Sequence, residues 1–283
     1  MVIKTIEKLR ETLATARREN KTIGFVPTMG FLHEGHLSLI RKANEENDLV
    51  VVSIFVNPTQ FGPNEDFETY PRNIEQDTTL ANEAGADIIF NPSATEIYPI
   101  GSSSWVNVEG DITSVLCGAS RPTHFQGVTT VVNILFNIVK PHRAYFGQKD
   151  AQQAAVLTKM VQDLHIDLEL VVCSIVREAD GLALSSRNTY LSSEERKQAL
   201  ILNQSLLKAN EAYKKGETDT KTLTKLIKDT INTMPLATID YVSIYSYPAL
   251  QEIEKIETPA IIAVAVKFGK TRLIDNILLE NSK

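Results

Sequence analysis

The sequence predicts an α/β fold: a doubly wound parallel sheet over residues 1–175, followed by a smaller α+β domain over residues 176–283. Three observations predict it. Short apolar runs alternate with helical patterns up to about residue 175. Residues 49–56 form a β-branched run apolar on both faces, as in a central parallel strand. After Asn188 the pattern changes to two helical stretches and then three strand-like runs.

The elements follow in chain order. Residues 23–26 read as a short apolar strand. Residues 37–47 read as a helix with Leu39, Ile40 and Ala43 on one face. The strand 49–56 comes next, then a helix over 73–84 and a strand over 87–90. A helix over 127–139, a strand over 143–146, a helix over 151–164 and a strand over 168–174 complete the alternation. This order makes the sheet Rossmann-like, and such sheets bind ligands beyond the carboxyl ends of their strands. Segments 28–36, 57–61 and 147–150 fall there. Further on, Ser192 and Ser193 before Glu194 and Glu195 mark a helix start. That helix is expected to run to about Lys215 and to end at Gly216. A helix over 220–233 and strands over 239–245, 260–266 and 272–277 complete the chain, which shows no internal repeat.

A chain of 283 residues, 43% hydrophobic and 23% charged, has the composition of a soluble globular protein with one large or two modest cores. Residues 1–20 are charged throughout and lack the apolar segment of a secretory signal. No apolar run reaches the 18 or so residues of a membrane span. A net charge of −6 and the lack of a basic stripe argue against a nucleic-acid partner. Cys117 and Cys173 lack metal-ligand spacing and are expected to be reduced, buried thiols of a cytosolic protein. An anionic ligand must therefore be held by a local cluster, for which His33, His36, Lys149, Arg187 and helix N-termini are the candidates.

The tetrad His33-Glu34-Gly35-His36 follows a strand and a turn rich in Pro and Gly, and it opens a helix. A helix N-terminus presents unpaired N–H groups and partial positive charge, so it attracts phosphate. Histidines three apart share one face and can reach the same phosphate chain. Zinc is the competing ligand, but no further ligands stand at suitable spacing and no Cys lies nearby. A second motif, Leu184-Ser185-Ser186-Arg187-Asn188, combines short hydroxyl donors with a fork-shaped cation, both typical of phosphate contacts. Alone it reads better as a solvated Ser-rich turn, and its pairing with the upstream histidines favours phosphate. Lys149, after Phe146-Gly147 at a strand end, supplies a mobile point charge.

Further motifs accompany these. They are Pro27-Thr28-Met29-Gly30, Asn57-Pro58-Thr59-Gln60-Phe61, Tyr70-Pro71-Arg72, Thr123-His124-Phe125 and the run 146–153 ending in Gln152-Gln153. The set resembles the pantothenate synthetase family (pantoate–β-alanine ligases). These belong to the HIGH-motif nucleotidyltransferase superfamily related to class I aminoacyl-tRNA synthetases. The resemblance is specific over residues 24–188, and 271–276 also fits.

The resemblance implies ATP-dependent condensation of (R)-pantoate with β-alanine through a pantoyl adenylate, with release of AMP and pyrophosphate. It implies a cytoplasmic homodimer using Mg²⁺, with these small molecules as its partners. Catalytic roles fall to His33, His36, Lys149 and Arg187, with proton donation by His36. ATP contacts fall to Met29, Gly30, His33, Gly35, His36, Gly147, Lys149, Asp150, Val176, Leu184, Ser185, Ser186 and Arg187. Leu184 stands where many relatives carry Met, a swap that conserves volume. Gln60 and Gln153 match pantoate contacts, and Gln60 also matches a β-alanine contact. No protein metal ligand is implied. Arg121 and His124 stay open between substrate and structural roles. The C-terminal domain is expected to act as a lid whose Ser185-Ser186-Arg187 loop joins the phosphates. The alternative is a sibling nucleotidyltransferase acting on a phosphate ester, against which Gln60 and Gln153 argue.

Overall fold

The computed structural model describes residues 1–63 and 65–279. A six-stranded sheet made of parallel pairs organises the first part of the chain. Its strands are β1 (Val2–Ile3), β2 (Ile23–Thr28), β3 (Leu49–Ile54), β4 (Ile88–Phe90), β5 (Arg143–Gly147) and β6 (Glu169–Cys173). Their spatial order is β1-β4-β3-β2-β5-β6. The chain builds outward from β2 through β3 to β4, then returns to the other side of β2 for β5. The loops after β2 and β5 therefore open at adjacent strand ends, the switch point where such sheets bind ligands.

Helices α1 (Ile6–Arg18), α2 (Glu34–Glu46), α3 (Ile74–Glu83), α4 (Ala94–Ile97), α5 (Asp111–Ser114), α6 (Cys117–Ser120), α7 (His124–Val139) and α8 (Ala151–Asp163) occur along this part of the chain. Successive strand residues point to opposite faces, and two core clusters divide accordingly. Phe25 and Val51 pack with Leu9, Leu13 and Phe136; Val26, Val50 and Val52 pack with Leu39, Ile40 and Tyr145. Apolar contact on both faces explains why these strands read as continuous apolar runs.

The C-terminal part holds α9 (Ser193–Ala199), α10 (Ile201–Lys214) and α11 (Thr220–Ile231). The antiparallel sheet β7 (Ala237–Ser246), β8 (Ala260–Phe268) and β9 (Thr271–Leu279) follows. Ser192 and Glu195 cap α9 reciprocally, at 3.3 Å from Glu195 N to Ser192 Oγ and 2.8 Å from Ser192 N to Glu195 Oε2. Leu223, Ile227 and Ile231, spaced four apart on α11, join Leu202, Leu206, Val242 and Val264 in a third core.

Several expectations shift. The single helix expected from 192 to 215 is two helices divided at Leu200. Residues 1–20, read only as a charged stretch, form β1 and α1. Leu9, Leu13 and Ala16 face inward there, and Thr5 caps the helix. The helix expected from residue 37 starts at Glu34, and the one expected from 127 starts at His124. Both cysteines are free thiols, but only Cys117 is buried; Cys173 lies on the edge strand β6 and is half-buried.

Contacts group the chain into two units. One comprises Met1–Glu109, Arg121–Gln148 and Val156–Ser174, and it holds the parallel sheet. The other comprises Gly110–Ser120, Lys149–Ala155 and Ile175–Lys283, and it holds the antiparallel sheet. Helices α5 and α6 and the start of α8 thus group with strands that lie far downstream. Among the described residues no helix is long and apolar enough to cross a membrane.

Candidate active site

In the first unit the chain leaves β2 at Thr28, whose hydroxyl donates to Ser53 O (2.8 Å) and accepts from Gly30 N (3.2 Å). Gly30 has φ +86°, and a Cβ there would lie 2.9 Å from Asp77 Oδ2, so only glycine fits. Phe31 is also left-handed, with φ +51°. The Asp77 carboxylate accepts from Phe31 N (2.8 Å) and Leu32 N (2.7 Å). Burial pushes its pKa up, and the two amide bonds offset only part of that push.

His33 then serves as the N-cap of α2. Its Nδ1 accepts from Gly35 N (3.2 Å), while His36 Nδ1 accepts from His33 N (3.3 Å). The two imidazoles thus do what Ser and Glu do in an ordinary reciprocal cap. A backbone N–H can only donate, so both Nδ1 atoms are acceptors and a neutral ring carries its proton on Nε2. The ring centroids are 4.1 Å apart and tilted by 34°. At this strand end the site presents two imidazole donors beside a helix N-terminus, a setting suited to phosphate oxygens.

Gln60 ends the 3₁₀ turn Pro58–Gln60 that follows β3. Asn57, 1% exposed, organises that turn: its Nδ2 donates to Gln60 Oε1 and to Gly127 O, both at 3.2 Å, and Tyr98 donates to its Oδ1 (2.8 Å). Gln60 Nε2 lies 2.9 Å from Met29 Sδ, so the structure brings these two candidates together. The Gln60 carbonyl accepts from Arg121 Nη2 (3.2 Å) and His124 Nδ1 (2.9 Å). Arg121 in turn makes two bonds to Glu65, at 2.6 and 2.5 Å. Burial raises the Glu65 pKa, but the Arg121 bond and charge outweigh it and hold the carboxyl below its usual range. Gly127 lets α7 approach this turn; a Cβ there would lie 2.3 Å from Thr59 O. Arg121 and His124, open on sequence alone, are thus seated on the backbone of Gln60. Gly147 ends β5, the strand beside β2.

In the second unit Lys149 and Asp150 close the 3₁₀ turn before α8, with Lys149 Nζ 3.5 Å from Asp150 Oδ1. Asn276 of β9 donates to Lys149 O (3.0 Å). The neighbouring glutamines of α8 differ. Gln152 is buried and bonds Cys117 N, Ile112 O and Val115 O. Gln153 is half-buried, and no neighbour among the described residues bonds its amide.

Residues 176–184 fold back on themselves. Leu184 N donates to Val176 O (3.1 Å), Arg177 bridges Ala183, and Gly181 turns the chain. These bonds bring the Val176 and Leu184 candidates together. Arg177 makes two bonds to Asp275 (2.7 and 2.9 Å), a carboxylate 2% exposed. Ser185 Oγ accepts from Arg187 N (3.3 Å), and Ser186 is buried. Asn188 binds Glu178 and Ala183 O, anchoring the loop.

Sequence reasoning missed Asp77, Asn57 as an organiser, Tyr98, Glu65, Asp275 and Asn276 in their supporting roles. Their signals were Gly30, the Asn57-Pro58-Thr59-Gln60-Phe61 motif and the Thr271-Arg272-Leu273-Ile274-Asp275-Asn276 motif. Among the described residues no group of three or more His, Cys, Asp or Glu side chains could hold a metal ion.

A family model for pantoate-beta-alanine ligase matches residues 1–278. A pantothenate synthetase of Acetivibrio thermocellus is 58% identical over 279 residues, covering 99% of both chains. One of Thermotoga petrophila is 55% identical over 278 residues, covering 98% of this chain and 99% of that one. Among solved structures, a pantothenate synthetase of Thermus thermophilus superposes with a TM-score of 0.93 at 45% identity over 98% of both chains. A pantoate-beta-alanine ligase of Francisella tularensis, complexed with beta-gamma ATP and beta-alanine, gives 0.80 at 37% identity, over 98% of this chain and 97% of that one.

Proposed function

The chain belongs to the pantoate–β-alanine ligase family, and from that premise we propose that it joins (R)-pantoate to β-alanine through a pantoyl adenylate formed from ATP. The observation that carries this reading is the histidine cap at the switch point of the sheet. A carboxylate oxygen is a poor leaving group toward an amine, so pantoate must be activated first. Its oxygen attacks the α-phosphorus, the bond to the β-phosphate bridging oxygen breaks, and pyrophosphate departs. The β-alanine amine then attacks the acyl carbon, and AMP leaves with the oxygen.

Both anions must approach each other, so positioning and charge stabilisation supply most of the rate. His33 and His36 direct Nε2–H groups at the phosphates, and His36 donates as charge moves onto the leaving group. Lys149 and Arg187 offset the same charge, with Ser185 and Ser186 donating to phosphate oxygens. Met29, Gly30, Gly35, Gly147, Asp150, Val176 and Leu184 line the nucleotide. Gln60 and Gln153 recognise the pantoate hydroxyls and carboxylate, since an amide both donates and accepts, and Gln60 also meets β-alanine. Keeping water from the adenylate is the role of the domain from residue 176 onward. Mg²⁺ brought by ATP would supply charge neutralisation at the phosphates, and no side chain of this chain is assigned to hold it. We place the enzyme in the cytoplasm as a homodimer, without nucleic-acid or membrane partners.

Pyrophosphate–ATP exchange with Mg²⁺ and pantoate, without β-alanine, tests the reading. Exchange that requires pantoate is the expected result. Exchange supported by a phosphate ester instead would indicate a sibling nucleotidyltransferase.

A further inference from the structure

We infer that Asp77 is a positioning residue for adenylation, its buried carboxylate holding the left-handed turn that leads into the histidine cap. The inference rests on the adenylating role proposed above. Asp77 sits in the first turns of α3, 45 residues after Leu32, and is 2% exposed. Its two oxygens each take one of two consecutive amides, Phe31 N on Oδ2 and Leu32 N on Oδ1. Two bonds to two neighbouring peptides fix both the place and the rotation of that stretch. Phe31 needs such support, because φ +51° is a region that side chains with a Cβ seldom adopt. Leu32, buried, leads directly to His33. The direction in which both imidazoles leave the backbone follows from this turn.

The chemistry of the group argues that position, not cohesion, is its purpose. Burial opposes the carboxylate charge and raises its pKa. A neutral Asn would avoid that penalty, but it offers one acceptor and sets an NH₂ against the second amide. The two carboxyl oxygens of Asp77 give each amide its own acceptor. Asp77 acts through His33 and His36, by way of the backbone of Phe31 and Leu32.

The test uses the full chain. In Asp77→Asn, the maximal rate of pantoate-dependent exchange is expected to fall about tenfold or more, with the pantoate KM within about twofold. Adding Phe31→Gly is expected to restore about threefold over the single variant, because glycine adopts positive φ unaided. A rate within about twofold of wild type for Asp77→Asn, or no gain from Phe31→Gly, overturns the inference. If Asp77→Asn does not fold, Phe31→Val keeps Asp77 and disfavours the turn. A lowered kcat with steady KM supports the inference, and an unchanged kcat overturns it. Amide proton shifts of Phe31 and Leu32 provide a readout independent of turnover. They are expected to move upfield in Asp77→Asn, and unchanged shifts overturn the proposal even if wild type fails to exchange. Such a failure would itself count against the adenylating role alone.

Discussion

His33 and His36 are held by local bonds, from Gly35 N to His33 Nδ1 and from His33 N to His36 Nδ1, whereas the segments carrying Arg187 and Lys149 are braced by strand β9. Arg177 reaches Asp275 98 residues away, and Lys149 O is bonded by Asn276 127 residues away. The first plan builds the histidine pair into local helix capping. The second hangs its cations on a distant strand. A locally capped group needs few outside contacts, while the braced group inherits every weakness of the strand that holds it. Asp77 is the exception in the first half, a long-range brace on a local motif.

The comparison is tested most severely at His36. His36→Ala removes a donor and a cap together, and a loss of about 10²–10⁴-fold in pantoate-dependent exchange is expected. Nucleotide binding should persist, and equilibrium dialysis with ATP checks that. Asp275→Ala comes next. It leaves Arg177 without its bidentate partner, and a cost of about 2–3 kcal/mol is expected. That lies below the ~3–5 of a fully buried pair because Arg177 stays 25% exposed. Chemical unfolding measures it, and an unchanged midpoint would sink the idea that β9 braces this loop.

Adjacent glutamines sharpen the contrast further. Gln153→Ala should raise the pantoate KM about tenfold with little effect on stability. Gln152→Ala should lower stability by about 1–3 kcal/mol with the pantoate KM unaltered, because it strands Cys117 N, Ile112 O and Val115 O. Reversed outcomes would exchange their roles. Asn276→Ala should cost about 1 kcal/mol, seen as a modest drop in kcat through Lys149. The smallest effect is the pH response of Glu65. Its folded pKa is depressed, so it stabilises the fold above the unfolded carboxyl pKa and loses that contribution as pH falls through the folded value. In acid titration Arg121→Gln should remove this part of the stability change.

The same contrast explains what the sequence disclosed. The tetrad at the start of α2, the β3 run and the helix over 220–233 are local patterns, and each could be read directly. The candidate residues Met29 and Gln60 could be named, but not their contact at 2.9 Å. Helix α1 was hidden because its charges outnumber Leu9, Leu13 and Ala16, the three residues that bury it. The division at Leu200 carries no Gly or Pro to announce it. The supporting contacts of Asp77, Asp275 and Asn276 could not be read because partners 46, 98 and 127 residues away leave no periodic trace.

The interleaving of the two contact units sets a timetable for synthesis. Cys117 Sγ lies 3.4 Å from Tyr241 Oη and within 3.6–3.7 Å of the Arg272 guanidinium, which follows it by 155 residues. A ribosome adding about 5–20 residues per second needs on the order of ten seconds or more to deliver those partners. Throughout that interval the nascent Gly110–Ser120 segment carries Ile112, Leu116 and a thiol that have no finished surface to join. The growing chain thus exposes a sticky, oxidisable stretch near its middle until its last strand emerges, and a chaperone or a reducing milieu would matter most in those seconds.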